Sequence, residues 1–145
     1  SLTNYTSRLY RAVVARDLAA EVNASLIPTV DPGLYRISAT VLPDHTPAEV
    51  EDALRAELEL LRREPITAEE LAKAIRQARA LFAFSSESIT NQAFWLGFSE
   101  IFADTSWFLH YLERLEAVTA EDVLRVADTY LRPQNMTVGH YLTQD

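Results

Sequence analysis

Between residues 5 and 20 apolar side chains recur at Leu9, Tyr10, Val13, Val14 and Leu18, with neither Gly nor Pro between them. That spacing predicts a helix from Tyr5 to Ala20. From Glu21 the period changes to two, with Val22, Ala24 and Leu26 alternating with Glu21, Asn23 and Ser25 as far as Pro28. A half-buried strand is expected there. Asp31-Pro32-Gly33 is a turn signature, and Tyr35, Ile37, Ala39 and Val41 mark one side of a second strand from Leu34 to Leu42. The two strands read as an antiparallel hairpin.

The middle of the chain returns to helical spacing. Thr46-Pro47-Ala48-Glu49 has the form of a capping box with proline at the first helical position, followed by a stripe of Val50, Leu54, Leu58 and Leu61. Thr67-Ala68-Glu69-Glu70 repeats the box and opens a helix whose expected buried face is Leu71, Ala74, Ile75, Ala78, Leu81 and Phe82. A serine-rich break at Ser85 and Ser86 precedes a helix that is apolar nearly all round, with Ile89, Phe94, Trp95, Phe98, Ile101 and Phe102. Asp104 and Thr105 are placed to cap a helix carrying Trp107, Phe108, Tyr111, Leu112 and Leu115. Thr119 and Asp122 are placed to cap one more, which Pro133 stops. Met136 to Leu142 reads as a final strand with Val138, His140 and Leu142 on one face, and the polar tail Thr143-Gln144-Asp145 is expected to fray.

About three strands flank about six helices, so the expected class is α+β, a mostly antiparallel sheet with helices packed on one face. Three strands are few for so much apolar helix. The chain also opens at Ser1 without a methionine, directly before a helical pattern. Residues 1–145 therefore read as a single partial domain, the C-terminal part of a larger α+β domain with its first strands absent.

At 145 residues with 48% apolar content, the chain has the size of one globular domain. Its net charge of −8 is spread over helical stretches such as Glu49, Glu51, Asp52, Glu57 and Glu59, which reads as a solvated surface. That distribution argues against nucleic acid or an anionic membrane as partner. There is no cysteine, which excludes disulfides, thiol nucleophiles and Cys-ligated metals. No apolar run reaches the roughly 18 residues a membrane span requires, and no signal-like segment opens the chain. A soluble protein is expected, the cytoplasm being favoured slightly over other compartments.

Candidate chemistry is sparse. The histidines are His45, His110 and His140, and none sits in an H-x-x-E-H or H-E-x-x-H pattern, although Glu113 follows His110 by three residues. On an aromatic helix such a pair reads as a surface contact rather than a zinc site. Ser85, Ser86 and Ser88 lie near Glu87 without a glycine-flanked elbow or a neighbouring histidine, the pattern of a helix break with capping hydroxyls. Gly33, Gly97 and Gly139 are isolated, so no phosphate-binding loop is formed. Glu69/Glu70 and Glu121/Asp122 occupy first helical turns, where the helix dipole favours them. The aromatic run from Phe94 to Tyr111 reads mostly as core, with part of it available to meet another domain or chain.

The order of segments then becomes informative. Ser7-Arg8-Leu9-Tyr10, the turn Asp31-Pro32-Gly33-Leu34-Tyr35, Pro65-Ile66-Thr67-Ala68-Glu69-Glu70-Leu71, Ala117-Val118-Thr119-Ala120-Glu121-Asp122-Val123 and Ala127-Asp128-Thr129-Tyr130-Leu131-Arg132-Pro133 occur in this order. The series resembles the later part of a domain of the insulinase/pitrilysin/processing-peptidase-like zinc metallopeptidases. The resemblance implies related α+β domains enclosing a chamber, with zinc held by an H-x-x-E-H motif that this chain lacks. It points to the companion, C-terminal type of domain, non-catalytic by itself. Zinc is expected in a catalytic domain of the same parent or in a partner chain, with peptide as substrate and self-association as a further expectation. In such companions an Arg and a Tyr seven residues apart often help hold substrate. Counted from Ser7-Arg8-Leu9-Tyr10 these positions are Val14 and Glu21, so neither residue is kept. The implied role is part of the peptide-binding chamber of a metalloendopeptidase. A structural, non-proteolytic scaffold subunit of the same fold is the alternative.

Overall fold

The structure, a computed structural model, describes residues 7–142. Tyr5, where the expected first helix starts, and the tail Thr143-Gln144-Asp145 lie outside the described residues. The chain is α+β: among the described residues a two-stranded antiparallel sheet, β1 (Ala19–Leu26) and β2 (Tyr35–Val41), is followed by six α-helices. These are α1 (Pro47–Arg63), α2 (Ala68–Ser85), α3 (Ile89–Phe102), α4 (Thr105–Leu109), α5 (Tyr111–Glu116) and α6 (Ala120–Tyr130).

The first helix is much shorter than its periodicity predicts. A π-helical turn at Tyr10–Val14 closes through Ala15 N to Tyr10 O (3.0 Å) and Leu18 N to Val13 O (2.9 Å). Asp17 then adopts a left-handed backbone with φ 58°. Asp tolerates that region because its short polar side chain bonds locally, and the helix stops there. Leu18 and Ala19 still face the core, which is why their spacing mimicked a continuing helix. Chain pairing extends one residue past each strand through Leu42 N to Leu18 O at 3.1 Å. The expected inward face of β1 is only partly realised, because Val22 is half-buried whereas Ala24 and Leu26 are exposed.

Contacts divide the chain into two compact units. The first gathers the chain up to Ser25, Tyr35–Glu64 and the chain from Leu124 on; the second holds Leu26–Leu34 and Pro65–Val123. In the first unit Ala12, Val13, Ala19 and Val50 form a buried cluster, with Val14, Leu18, Val22, Ala39, Val41, Ala53 and Leu54 packed around it. The α1 stripe is as its spacing predicts, with Val50 and Leu58 buried. Its start is a complete capping box: Thr46 Oγ1 accepts from Glu49 N at 3.3 Å while Glu49 Oε2 accepts from Thr46 N at 2.7 Å.

In the second unit aromatic rings form a continuous series of contacts. Phe94, Phe98, Phe102, Trp107, Tyr111, Phe82 and Phe108 touch in that order, with centroids 4.9–5.4 Å apart. Phe108 and Ser99 are its buried residues, the Ser99 hydroxyl donating to the Leu96 carbonyl at 2.9 Å. The predicted buried face of α2 is incomplete, since none of its residues is fully buried and Leu81 is 53% exposed.

Two further expectations are corrected. The helix expected to run from Trp107 through Leu115 is two helices, α4 and α5, parted at His110, whose backbone (φ −102°, ψ 13°) leaves the helical basin. Residues 136–142 form no strand among the described residues and follow a 3₁₀ turn at Pro133–Asn135. Their alternation of Val138, His140 and Leu142 is strand-like, but a strand exists only where a neighbour supplies backbone partners.

Candidate functional site

Val14 and Glu21 both belong to the first unit. Val14 ends the π-helical turn and packs against the buried cluster. Its β-branched side chain is part of the hydrophobic support of the hairpin and offers no polar atom. Glu21 lies exposed on β1 and accepts a hydrogen bond from Thr40 Oγ1 on β2 at 3.1 Å, a cross-strand pair. An extended peptide passing Glu21 would meet a carboxylate.

The three histidines go to different places. His45 Nδ1 lies 3.6 Å from Glu49 Oε2 at the start of α1. His140 Nε2 lies 2.9 Å from Glu51 Oε2, a contact spanning 89 positions in the sequence. His110 turns back on α4, with Nδ1 2.9 Å from the Ser106 carbonyl. Among the described residues no three His, Asp or Glu side chains converge as a metal-holding group.

The serine break holds no nucleophile–base pair. Ser85 Oγ donates to the Phe82 carbonyl at 2.9 Å, and Ser86 Oγ is buried without a hydrogen-bond partner. Ser88 occupies the position before α3 without a side-chain cap bond, so the capping role expected of these hydroxyls is not realised there. Caps do form at Thr67, which accepts from Glu70 N at 3.1 Å, and at Asp104, which accepts from Trp107 N at 3.0 Å. Hydrogen bonds from the Ser106 hydroxyl and the Trp107 N–H hold the Asp104 carboxyl below the ordinary carboxylate range.

One polar node draws on a partner that local sequence pattern does not reveal. Glu51 Oε1 accepts from Arg55 Nε and lies 2.7 Å from Arg55 Nη2, while Oε2 faces His140. The Arg55 hydrogen bond first, and the His140 bond second, hold the Glu51 carboxyl below its ordinary range. The i, i+4 spacing of Glu51 and Arg55 is a readable signal, but nothing local announces His140. A second node joins Arg62 to Glu59 (2.6 Å) and to Asp128 (3.1 Å), and the Arg62 bond is the main cause that lowers the Asp128 carboxyl. Both nodes join residues far apart in the chain.

Residues 2–78 match the family model described as the peptidase M16 inactive domain, which is more than half of the chain. Two solved Bordetella structures are similar at 27% identity. One, a candidate zinc protease from Bordetella pertussis Tohama I, has a TM-score of 0.82, with 97% of this chain and 78% of that chain covered. The other, the inactive peptidase domain of a candidate zinc protease from Bordetella parapertussis, has a TM-score of 0.87, with 98% and 76% covered. A protease from Helicobacter pylori shares the fold at 22% identity and a TM-score of 0.82, with 91% of this chain and 32% of that chain covered. No functionally curated protein matches the chain.

Proposed function

The chain belongs to the peptidase M16 inactive-domain family, and from that premise we propose that it forms a non-catalytic wall of a peptide-binding chamber beside a zinc-bearing catalytic domain. The observation that carries this reading is the match to the inactive domain rather than to a zinc-holding one. Similarity to the inactive peptidase domain from Bordetella parapertussis supports it. Zinc belongs to a catalytic domain of the same parent or to a partner chain, where it would polarise the scissile carbonyl and activate water. This chain supplies surface and positioning. Its exposed apolar side chains, among them Leu34, Ile89 and Ile101, are the surface offered to the catalytic domain or to a second copy.

A second reading, a scaffold subunit of the same fold without a role in proteolysis, is favoured by one observation. Val14 and Glu21 stand where substrate-holding Arg and Tyr are expected, and Val14 is committed to the core.

Cleavage of an unstructured peptide separates these readings. A zinc-bearing M16 domain is assayed with and without the purified chain, and the chain is assayed alone after a chelator wash with its zinc content measured. The chamber reading expects no cleavage by the chain alone, no stoichiometric zinc, and faster cleavage when both are present. Binding without any change in rate would favour the scaffold. Metal-dependent cleavage by the chain alone, lost with His110→Ala, would overturn both.

A further inference from the structure

Residues 136–142 follow the turn at Pro133–Asn135 without regular secondary structure. Val138 and Leu142 are substantially exposed and Tyr141 is 93% exposed, so little apolar burial holds this stretch. Asn135 Nδ2 ties its root to the Thr129 and Tyr130 carbonyls at 3.4 and 3.3 Å. Farther along, His140 reaches α1, with its Nε2 2.9 Å from Glu51 Oε2.

Glu51 is prepared for that contact. Arg55 occupies its other carboxylate oxygen through Nε and Nη2, both at 2.7 Å, which orients the group and keeps it ionised. Oε2 is left to accept. The Glu51 side chain is only 24% exposed, so water competes for it less than for a fully solvated carboxylate.

We propose that His140 and Glu51 form a proton-sensitive latch that fastens residues 136–142 to α1 when the imidazole is charged and loosens them when it is neutral. An imidazolium donates a charge-assisted bond to the carboxylate, whereas a neutral ring makes a weaker one and only in the tautomer protonated at Nε2. Between Met136 and Leu142 the titratable residues are His140 and Tyr141, with no Asp, Glu, Lys or Arg among them, and a phenol does not change charge between about pH 5.5 and 8. On α1 the groups facing the latch are Glu51 and Arg55. The π-helical turn and β2 also pack on α1, and their charged side chains, Arg11 and Arg36, make no hydrogen bond or ion pair with either partner among the described residues. Arg55 opposes the imidazolium but remains charged at every relevant pH, so the change on titration comes from the histidine. The carboxyl of Glu51 is held below its ordinary range, so it accepts as an anion, and the latch is closed while the imidazole is charged and opens when the imidazole is neutral.

The test is amide hydrogen exchange in the intact chain, with rates corrected for the intrinsic effect of pH. Protection of residues 136–142 is expected to be about two- to fourfold greater at about pH 5.5 than at about pH 8, the size of a partly exposed ion pair. His140→Gln and Glu51→Gln should each abolish that difference while leaving the rest of α1 protected, and His45→Gln should preserve it. Protection that does not change with pH in the parent chain overturns the latch. So does a pH response that survives His140→Gln.

Discussion

Val14 is a half-buried side chain whose methyl groups pack against the buried cluster of the first unit. Packed on Val13, Ala19 and their neighbours, it has no room to trade its methyl groups for a charge without desolvating that charge. Val14→Arg should therefore destabilise the chain by about 1–3 kcal/mol, read as a lower denaturant midpoint. Glu21→Tyr, on an exposed strand face, should be close to neutral. If Val14→Arg proves as stable as the parent, the position is free to hold a substrate-facing cation and the core assignment is wrong. Counting from Ser7-Arg8-Leu9-Tyr10 singles out Val14 and Glu21 as positions to probe. Their environments were not countable, because the left-handed backbone at Asp17, which ends the helix between them, has no periodic signature.

At the scale of elements, what the sequence discloses is what neighbouring residues settle among themselves. The caps of α1, α2 and α4 were legible because Thr46, Thr67 and Asp104 bond to amides two or three positions on. Thr46→Ala should cost about 1 kcal/mol, measured by urea unfolding. The same variant should alter the acid limb of stability. The Glu49 carboxyl is lowered chiefly by the Thr46 backbone N–H and then by its hydroxyl, so its contribution is present above the unfolded carboxyl value and is lost as pH falls through the folded one. Without the hydroxyl that acid-side loss should be smaller. A pH profile for Thr46→Ala that merely parallels the parent curve would show the box to be energetically idle. Features made by distant partners were not legible. The parting of α4 from α5 at His110 lies inside an uninterrupted apolar pattern, and the strand expected at 136–142 had correct alternation but no neighbour to pair with.

Over the whole molecule, apolar surface exceeds what the described residues bury. Ile89 is 83% exposed and Leu34 is 87% exposed, and no third strand extends the sheet on either side among the described residues. Open strand edges and large apolar side chains in water favour association. The net charge of −8 opposes it. The apolar term is short-ranged and little screened, so it should prevail as salt is added. Sedimentation at tens of micromolar should show dimers or larger species, increasing with ionic strength, together with binding of a hydrophobic dye. A strict monomer that binds no dye would mean that this surface is tolerated in water and needs no partner. The fold class and the order of segments were readable because amphipathic periods are local, whereas the amount of uncovered surface depends on which strands and domains lie alongside.

The first unit is assembled from three separated stretches of chain, with Pro65–Val123 inserted before its last stretch begins at Leu124. During synthesis the hairpin and α1 emerge early and can associate at once, since their contacts are close in sequence. Arg62 must wait for Asp128, and Glu51 must wait for His140. A ribosome paused within the inserted stretch therefore holds a nascent chain with its α1 carboxylates unanswered and its first unit open at one side. Chaperones that recognise exposed apolar segments have their longest opportunity in that interval.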